Sequence, residues 1–178
     1  MTVVNTTFAR NQLGINGSRS GIATANAGMM TIINSTFAEN RFQPPFVGAA
    51  SIVATLGTGT TFLENDILVH SSDDGNVQDC SGLVISLGNN LITDPTACNM
   101  AIQLSDQVGI DAGLGDFADD GTPGDAHFEL LPDSDAINGA NSAACPKKDQ
   151  IGQPRTAHCD IGSVEFSQPF AHQVSEQE

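Results

Sequence analysis

Nine carboxylates fall between Asp106 and Asp135, on a stretch broken by Gly109, Gly113, Gly115, Gly121 and Gly124. Carboxylates on glycine-rich turns offer the hard oxygen ligands that Ca2+ gathers, about six to eight at a time. Asp111, Asp116, Asp119, Asp120 and Asp125 are therefore the candidate Ca2+ ligands of this chain. Their spacing follows neither the EF-hand loop nor the Gly-Gly-x-Gly-x-Asp nonapeptide, and a solvated acidic loop accounts for the same residues. Acid–base chemistry is the second use of such a cluster. Glycoside hydrolysis needs two carboxylates flanking the bond, and Asp73-Asp74 and Asp119-Asp120 are adjacent pairs, with His127 two residues after Asp125. Asp119, Asp120 and His127 are the candidate catalytic residues. Against them stands ordinary turn chemistry, in which Asp bonds the backbone two residues on. A polysaccharide lyase would add an Arg or Lys to the metal. Arg155 and Lys147-Lys148, however, sit in a terminal stretch carrying two cysteines. His70, His158 and His172 complete the histidines, and neither a zincin spacing, a Gly-x-Ser-x-Gly elbow nor a Gly-x-x-x-x-Gly-Lys loop occurs.

The elements that must position these residues are constrained by composition. The chain has 178 residues, 21 acidic against 6 basic side chains and a formal charge of -15. So few cations cannot neutralise phosphates in the numbers nucleic-acid binding requires, and an anionic membrane surface would repel the chain. No run approaches the ~18 apolar residues of a membrane span, and the first residues lack the basic and apolar regions of an export signal. The charge is uneven. Residues 1–72 hold three acids (Glu39, Glu64, Asp66) and three bases (Arg10, Arg19, Arg41), so every excess carboxylate lies beyond them.

The first part repeats itself. Val3-Val4-Asn5-Thr6-Thr7-Phe8-Ala9-Arg10-Asn11 matches Ile32-Ile33-Asn34-Ser35-Thr36-Phe37-Ala38-Glu39-Asn40 at an offset of 29. Leu63-Glu64-Asn65-Asp66-Ile67-Leu68 is a weaker third copy and Gly88-Asn89-Asn90-Leu91-Ile92 a fourth. Aligning Asn5, Asn34, Asn65 and Asn90 gives spacings of 29, 31 and 25. Periods of this size mean stacked supersecondary units. Each unit reads as short Val-, Ile-, Thr- and Phe-rich strands between Gly, Asn and Ser turns, and no helical period is sustained. The fold expected is all-β: a right-handed parallel β-helix, or β-solenoid, of three to four coils over residues 1–100. A loop-rich, acidic C-terminal cap over 101–166 and a polar tail over 167–178 follow. In such a stack the Asn side chains form a ladder, Phe8 lies on Phe37, and Arg10 pairs with Glu39. An outward ice-binding array would need Thr at matched positions, but Thr6, Ser35 and Asp66 break it by the third coil. The first copy starts at Val3 with no capping unit before it, so the chain is expected to be the C-terminal piece of a longer solenoid or to have its open end covered by a partner, self-association through this N-terminal coil included.

The second half carries ordered motifs: Asp79-Cys80-Ser81-Gly82, Ser86-Leu87-Gly88-Asn89-Asn90-Leu91-Ile92, Leu130-Leu131-Pro132-Asp133-Ser134-Asp135-Ala136-Ile137-Asn138, Asp149-Gln150-Ile151-Gly152-Gln153-Pro154-Arg155 and Cys159-Asp160-Ile161-Gly162-Ser163-Val164-Glu165-Phe166. With the Asn-Ser-Thr-Phe coils before them, they resemble the C-terminal region of bacterial parallel β-helix surface proteins, the choice-of-anchor Q group. The resemblance implies a secreted or cell-surface protein and a region that ends the helix ahead of a variable anchor. The four cysteines agree with export. Cys80 with Cys98 and Cys145 with Cys159 would each close a short loop, and two other pairings are open. Zinc ligation by thiolates lacks any Cys-x-x-Cys spacing. The function expected is a non-catalytic structural or adhesion module, contacting polysaccharide or other cell-surface material. The alternative is a Ca2+-dependent polysaccharide lyase or glycoside hydrolase sited in the acidic segment. The absence of Trp and Tyr removes the usual sugar-stacking platforms.

Overall fold

The structure is a computed structural model and describes residues 1–13, 21–25, 27–42, 50–69, 77–95 and 98–167. Asp73, Asp74, His70, His172 and the tail beyond Ser167 lie outside the described residues. Within them the fold is all-β, with parallel sheets and no helix, as the short β-rich runs require. The first repeat gives β1 (Thr2–Val4), β2 (Thr7–Ala9), β3 (Gln12–Leu13) and β4 (Gly21–Ala25). The second gives β5 (Met29–Ile33), β6 (Thr36–Ala38), β7 (Arg41–Phe42) and β8 (Ala50–Thr55). The third gives β9 (Thr60–Glu64), β10 (Ile67–Leu68) and the long β11 (Val77–Gly88). Then follow β12 (Leu91–Ile92), β13 (Cys98–Asn99), β14 (Gln107–Val108) and an antiparallel hairpin, β15 (Leu114–Ala118) with β16 (His127–Leu130).

Equivalent strands pair in parallel. Sheet A runs β1-β5-β9-β11 and continues from β11 to β8 and β4; sheet B runs β2-β6-β10-β12-β14. In sheet B, Thr7, Thr36, Ile67, Leu91 and Gln107 stand in one row and Phe8, Phe37, Leu68, Ile92 and Val108 in the next. Strand alternation sends the two rows to opposite faces. Phe8, Phe37, Leu68 and Ile92 point inward to join Val3, Ile32, Leu63 and Val84 of sheet A. Phe8 lies 4.6 Å from Phe37, centroid to centroid, with the rings nearly parallel. β11 passes without interruption from pairing β8 to pairing β9. Gly82 permits this, since at φ +77° a Cβ there would sit 1.9 Å from the Thr55 carbonyl oxygen.

The bend between sheets A and B is one left-handed residue, Asn5, Asn34, Asn65 and Asn89, with φ of 49°, 49°, 59° and 58°. Asn tolerates this region better than other side chains that carry a Cβ. The fourth member is Asn89 rather than Asn90: Ile67 pairs with Leu91, which makes the third spacing 24. The sequence alone chose between two adjacent Asn residues and took the wrong one. Asn90 occupies the next position, with Thr6, Ser35 and Asp66. There each backbone N–H donates to the side-chain oxygen of its counterpart one repeat on: Thr6 to Ser35 (3.3 Å), Ser35 to Asp66 (2.8 Å), Asp66 to Asn90 (3.0 Å), Asn90 to Asp106 (3.0 Å). Ser35, Asp66 and Asn90 are fully buried, so this row faces the interior and offers no outward array. A second ladder forms at the next bend, where the Asn11 amide donates to Asn40 Oδ1 and Asn40 Nδ2 to the Phe8 carbonyl.

The C-terminal segment does more than follow the repeats. Residues 134–166, here called the strap, run back along the outer face of sheet B from β14 toward β2. Outward Ile67 and Leu91 pack with Ala112, Leu130, Ala136 and Ile161 in a second apolar cluster. The outer row of sheet B is apolar in its middle, and an apolar row left in water would be costly, so the chain covers it.

Candidate functional site

The bend asparagines hold the strap. Asn89 Nδ2 donates to the Gly139 carbonyl (2.8 Å), and Asn65 exchanges two bonds with Asn141, Nδ2 to the carbonyl and Oδ1 from the N–H. Asn34 Nδ2 donates to the carbonyls of Asp160 and Gly162, and Asn5 Nδ2 to that of Lys148. The amide ladder expected along this row is present only between Asn65 and Asn34, at 3.2 Å. The other amides serve the strap, because its irregular backbone lacks ladder partners of its own.

Arg155 fastens the end of the strap. Its buried guanidinium donates to Glu165 Oε1 (2.7 Å), to the carbonyls of Asp160 and Gly162 and to Asn5 Oδ1 (3.0 Å). Asp160 accepts from the N–H groups of Asn138 and Phe166, and Asp149 from those of Gln153 and Glu165. Gly162 sits against sheet B at φ +96°, where a Cβ would lie 2.7 Å from Ile67 Cδ1. The motifs from Asp149 to Phe166 thus have structural work at nearly every polar position. Both short-loop pairings of cysteine are formed, Cys80–Cys98 and Cys145–Cys159.

The acidic segment divides. Asp106 closes the interior ladder and also accepts from Ser86 and the Gln103 N–H. Asp111 is exposed and its Oδ1 accepts from the Gly113 N–H; Asp116 is exposed on β15. Only Asp119, Asp120, Asp125 and His127 come together, at the tip of the β15–β16 hairpin. They line a hollow of about 320 Å3 with Ala118 and Ile151. Ile151 arrives from the strap because Gln150 Nε2 donates to the carbonyls of Gly124 and Ala126. Asp119 and Asp120 accept from the N–H groups of Gly121 and Thr122, and those Thr122 bonds hold the Asp120 carboxyl below its usual range. His127 Nδ1 is bonded to the Asp125 carbonyl. Among the described residues no three His, Cys, Asp or Glu side chains are arranged to hold a metal ion.

Two carboxyls escaped the sequence reading. Burial pushes Asp66 well above the usual carboxylate range, against the opposing pull of N–H bonds from Ser35 and Glu64. Burial likewise pushes Asp79 up to about 7, opposed by the Asp94 N–H and the Thr93 hydroxyl and helped by the Asp94 charge. Asp79 Oδ2 takes both of those bonds while Oδ1 has no hydrogen-bond partner. No helix among the described residues is long and apolar enough to cross a membrane. No family model, curated protein or solved structure matches the chain.

Proposed function

We propose that the chain is a non-catalytic structural or adhesion module of an exported bacterial protein, built as a right-handed parallel β-helix of the choice-of-anchor Q kind. One observation carries this reading: the residues that could do chemistry are spent on the fold. Arg155, Glu165, Asp160, Asp149 and Asp106 are tied to backbone or to each other, and Asp119 and Asp120 cap their own turns. The in-register parallel rows support the helix, and the strong right-handed preference of parallel crossovers supports its hand. Two disulfides fit an oxidising compartment.

The natural ligand in this reading is polysaccharide or other cell-surface material laid along a lateral face. Incubation with a panel of polysaccharides, with and without Ca2+, tests it, the expected result being retention without turnover. New reducing ends or unsaturated products would sink it in favour of the Ca2+-dependent lyase or hydrolase. That second reading draws its support from the hollow shared by Asp119, Asp120, Asp125 and His127. It predicts a rise in melting temperature at millimolar Ca2+ that Asp119→Asn with Asp120→Asn removes.

A further inference from the structure

The two large sheets differ in what lies on their outer faces. Sheet B is covered by the strap, whereas among the described residues the outer face of β1, β5, β9 and β11 is left partly exposed and is largely apolar. Alternation along β1, β5, β9 and β11 buries one set of side chains and turns the other outward. Thr2, Thr31, Phe62 and Ile85 form one outward row across all four strands. Beside it Met29 is 69% exposed, Leu83 47%, Leu87 48% and Val4 39%. Glu64 is the charged outward residue of these strands, at the border toward the strap, where its Oε1 takes a bond from Asn141 Nδ2.

We propose that this face is the seat of a second copy of the same chain, the two sheets packing face to face about a two-fold axis. Three properties point to a like partner. Two copies at a formal charge of -15 repel one another over most of their surfaces, and an uncharged face is where they can meet without placing carboxylate on carboxylate. A basic partner would be drawn instead to the carboxylates beyond residue 72. A twisted sheet is also complementary to itself, as sheet-on-sheet packing at about 10 Å shows, and a two-fold contact uses one patch twice. Four strands about 4.8 Å apart, carrying rows of three or four outward residues, give a face on the order of 500 Å2. Two such faces cover about 1,000 Å2, the lower bound of specific interfaces, so the dimer is concentration-dependent rather than permanent.

Sedimentation of the full chain from about 10 to 300 µM tests the proposal. The expected mass rises from 18.5 kDa toward twice that value. Because like net charges oppose the contact, the rise is steeper in about 0.5 M than in 0.05 M salt. Ile85→Glu, at a position already 36% exposed, keeps the far-UV spectrum and weakens association by about tenfold or more. Should that variant fail to fold, Leu87→Glu serves in its place. A monomer mass throughout the range at high salt overturns the proposal. So does a dimer that survives the substitution, which would place the contact elsewhere on the chain.

Discussion

The inner cluster and the cluster under the strap hold similar residues by different means. Inside, Ile32 sits on Val3 and Leu63 on Ile32, and Phe37 on Phe8, each buried residue contacting its own counterpart one repeat away. Under the strap the covering side does not repeat: Ile67 and Leu91 meet Ala136, Ile161 and Leu130, which come from three separate parts of the chain. The inner cluster is made by stacking, so its geometry follows from the parallel register. The outer one is made by docking, and its geometry rests on single contacts such as Arg155 with Glu165 and Gly162 with Ile67. Loss of a stacked residue should therefore weaken the whole column, while loss of a docking contact should free the strap first.

The largest effect is expected from Phe37→Ala, which empties a fully buried site between repeats. Urea unfolding should show a loss of about 4 kcal/mol in a single transition. Arg155→Met comes next, since it leaves Glu165 buried without its cation, at a cost of about 3 kcal/mol. Amide exchange should then rise at Ile161 and Gly162 while Ile32 and Leu63 stay protected. Equal loss of protection at both pairs would erase the distinction between stacking and docking.

The third prediction concerns pH. Asp79 ionises near 7 when folded and near 4 when unfolded, so the folded state favours its proton. Its contribution is complete below about pH 4, declines as the pH rises, and is lost above about pH 7, by on the order of 2 to 4 kcal/mol. Asp79→Asn keeps an acceptor for Thr93 and Asp94 and should flatten the melting-temperature profile between those limits. An unchanged slope would shift the cause to Asp66, whose carboxyl is displaced in the same direction. The smallest effect belongs to Arg10, which pairs with Glu39 at 2.6 Å and lies 4.5 Å from the Phe117 ring centre, largely in solvent. Arg10→Ala should cost at most about 1 kcal/mol, and Glu39→Gln still less if the ring contact carries part of it.

The repeats were legible because stacking leaves a period in the sequence. The Asn-Ser-Thr-Phe unit repeats because equivalent positions of successive repeats stand in register, and the stacked phenylalanines and the Arg10–Glu39 pair follow from that register. The Asn89-Asn90 doublet shows where the period ran short. Either residue fits the alignment, and only the pairing of Ile67 with Leu91 decides which bends. The acidic segment reads as one candidate site, yet Asp106 belongs to the interior ladder, Asp111 to a turn of its own, Asp116 to the exposed side of β15, and only Asp119, Asp120 and Asp125 to the hairpin tip.

By itself the sequence determined the all-β class, the register of the first two repeats and which residues carry charge, all properties of local pattern. Tertiary structure alone decided that the C-terminal segment lies along sheet B, and that Ile151 and His127 line one hollow. It also decided that Arg155 is buried and that burial raises the carboxyls of Asp79 and Asp66. Those contacts join residues as far apart as 150 positions, as between Arg155 and Asn5. They occur once each, so no period records them, and they depend on which face of a sheet needs covering after the strands have paired.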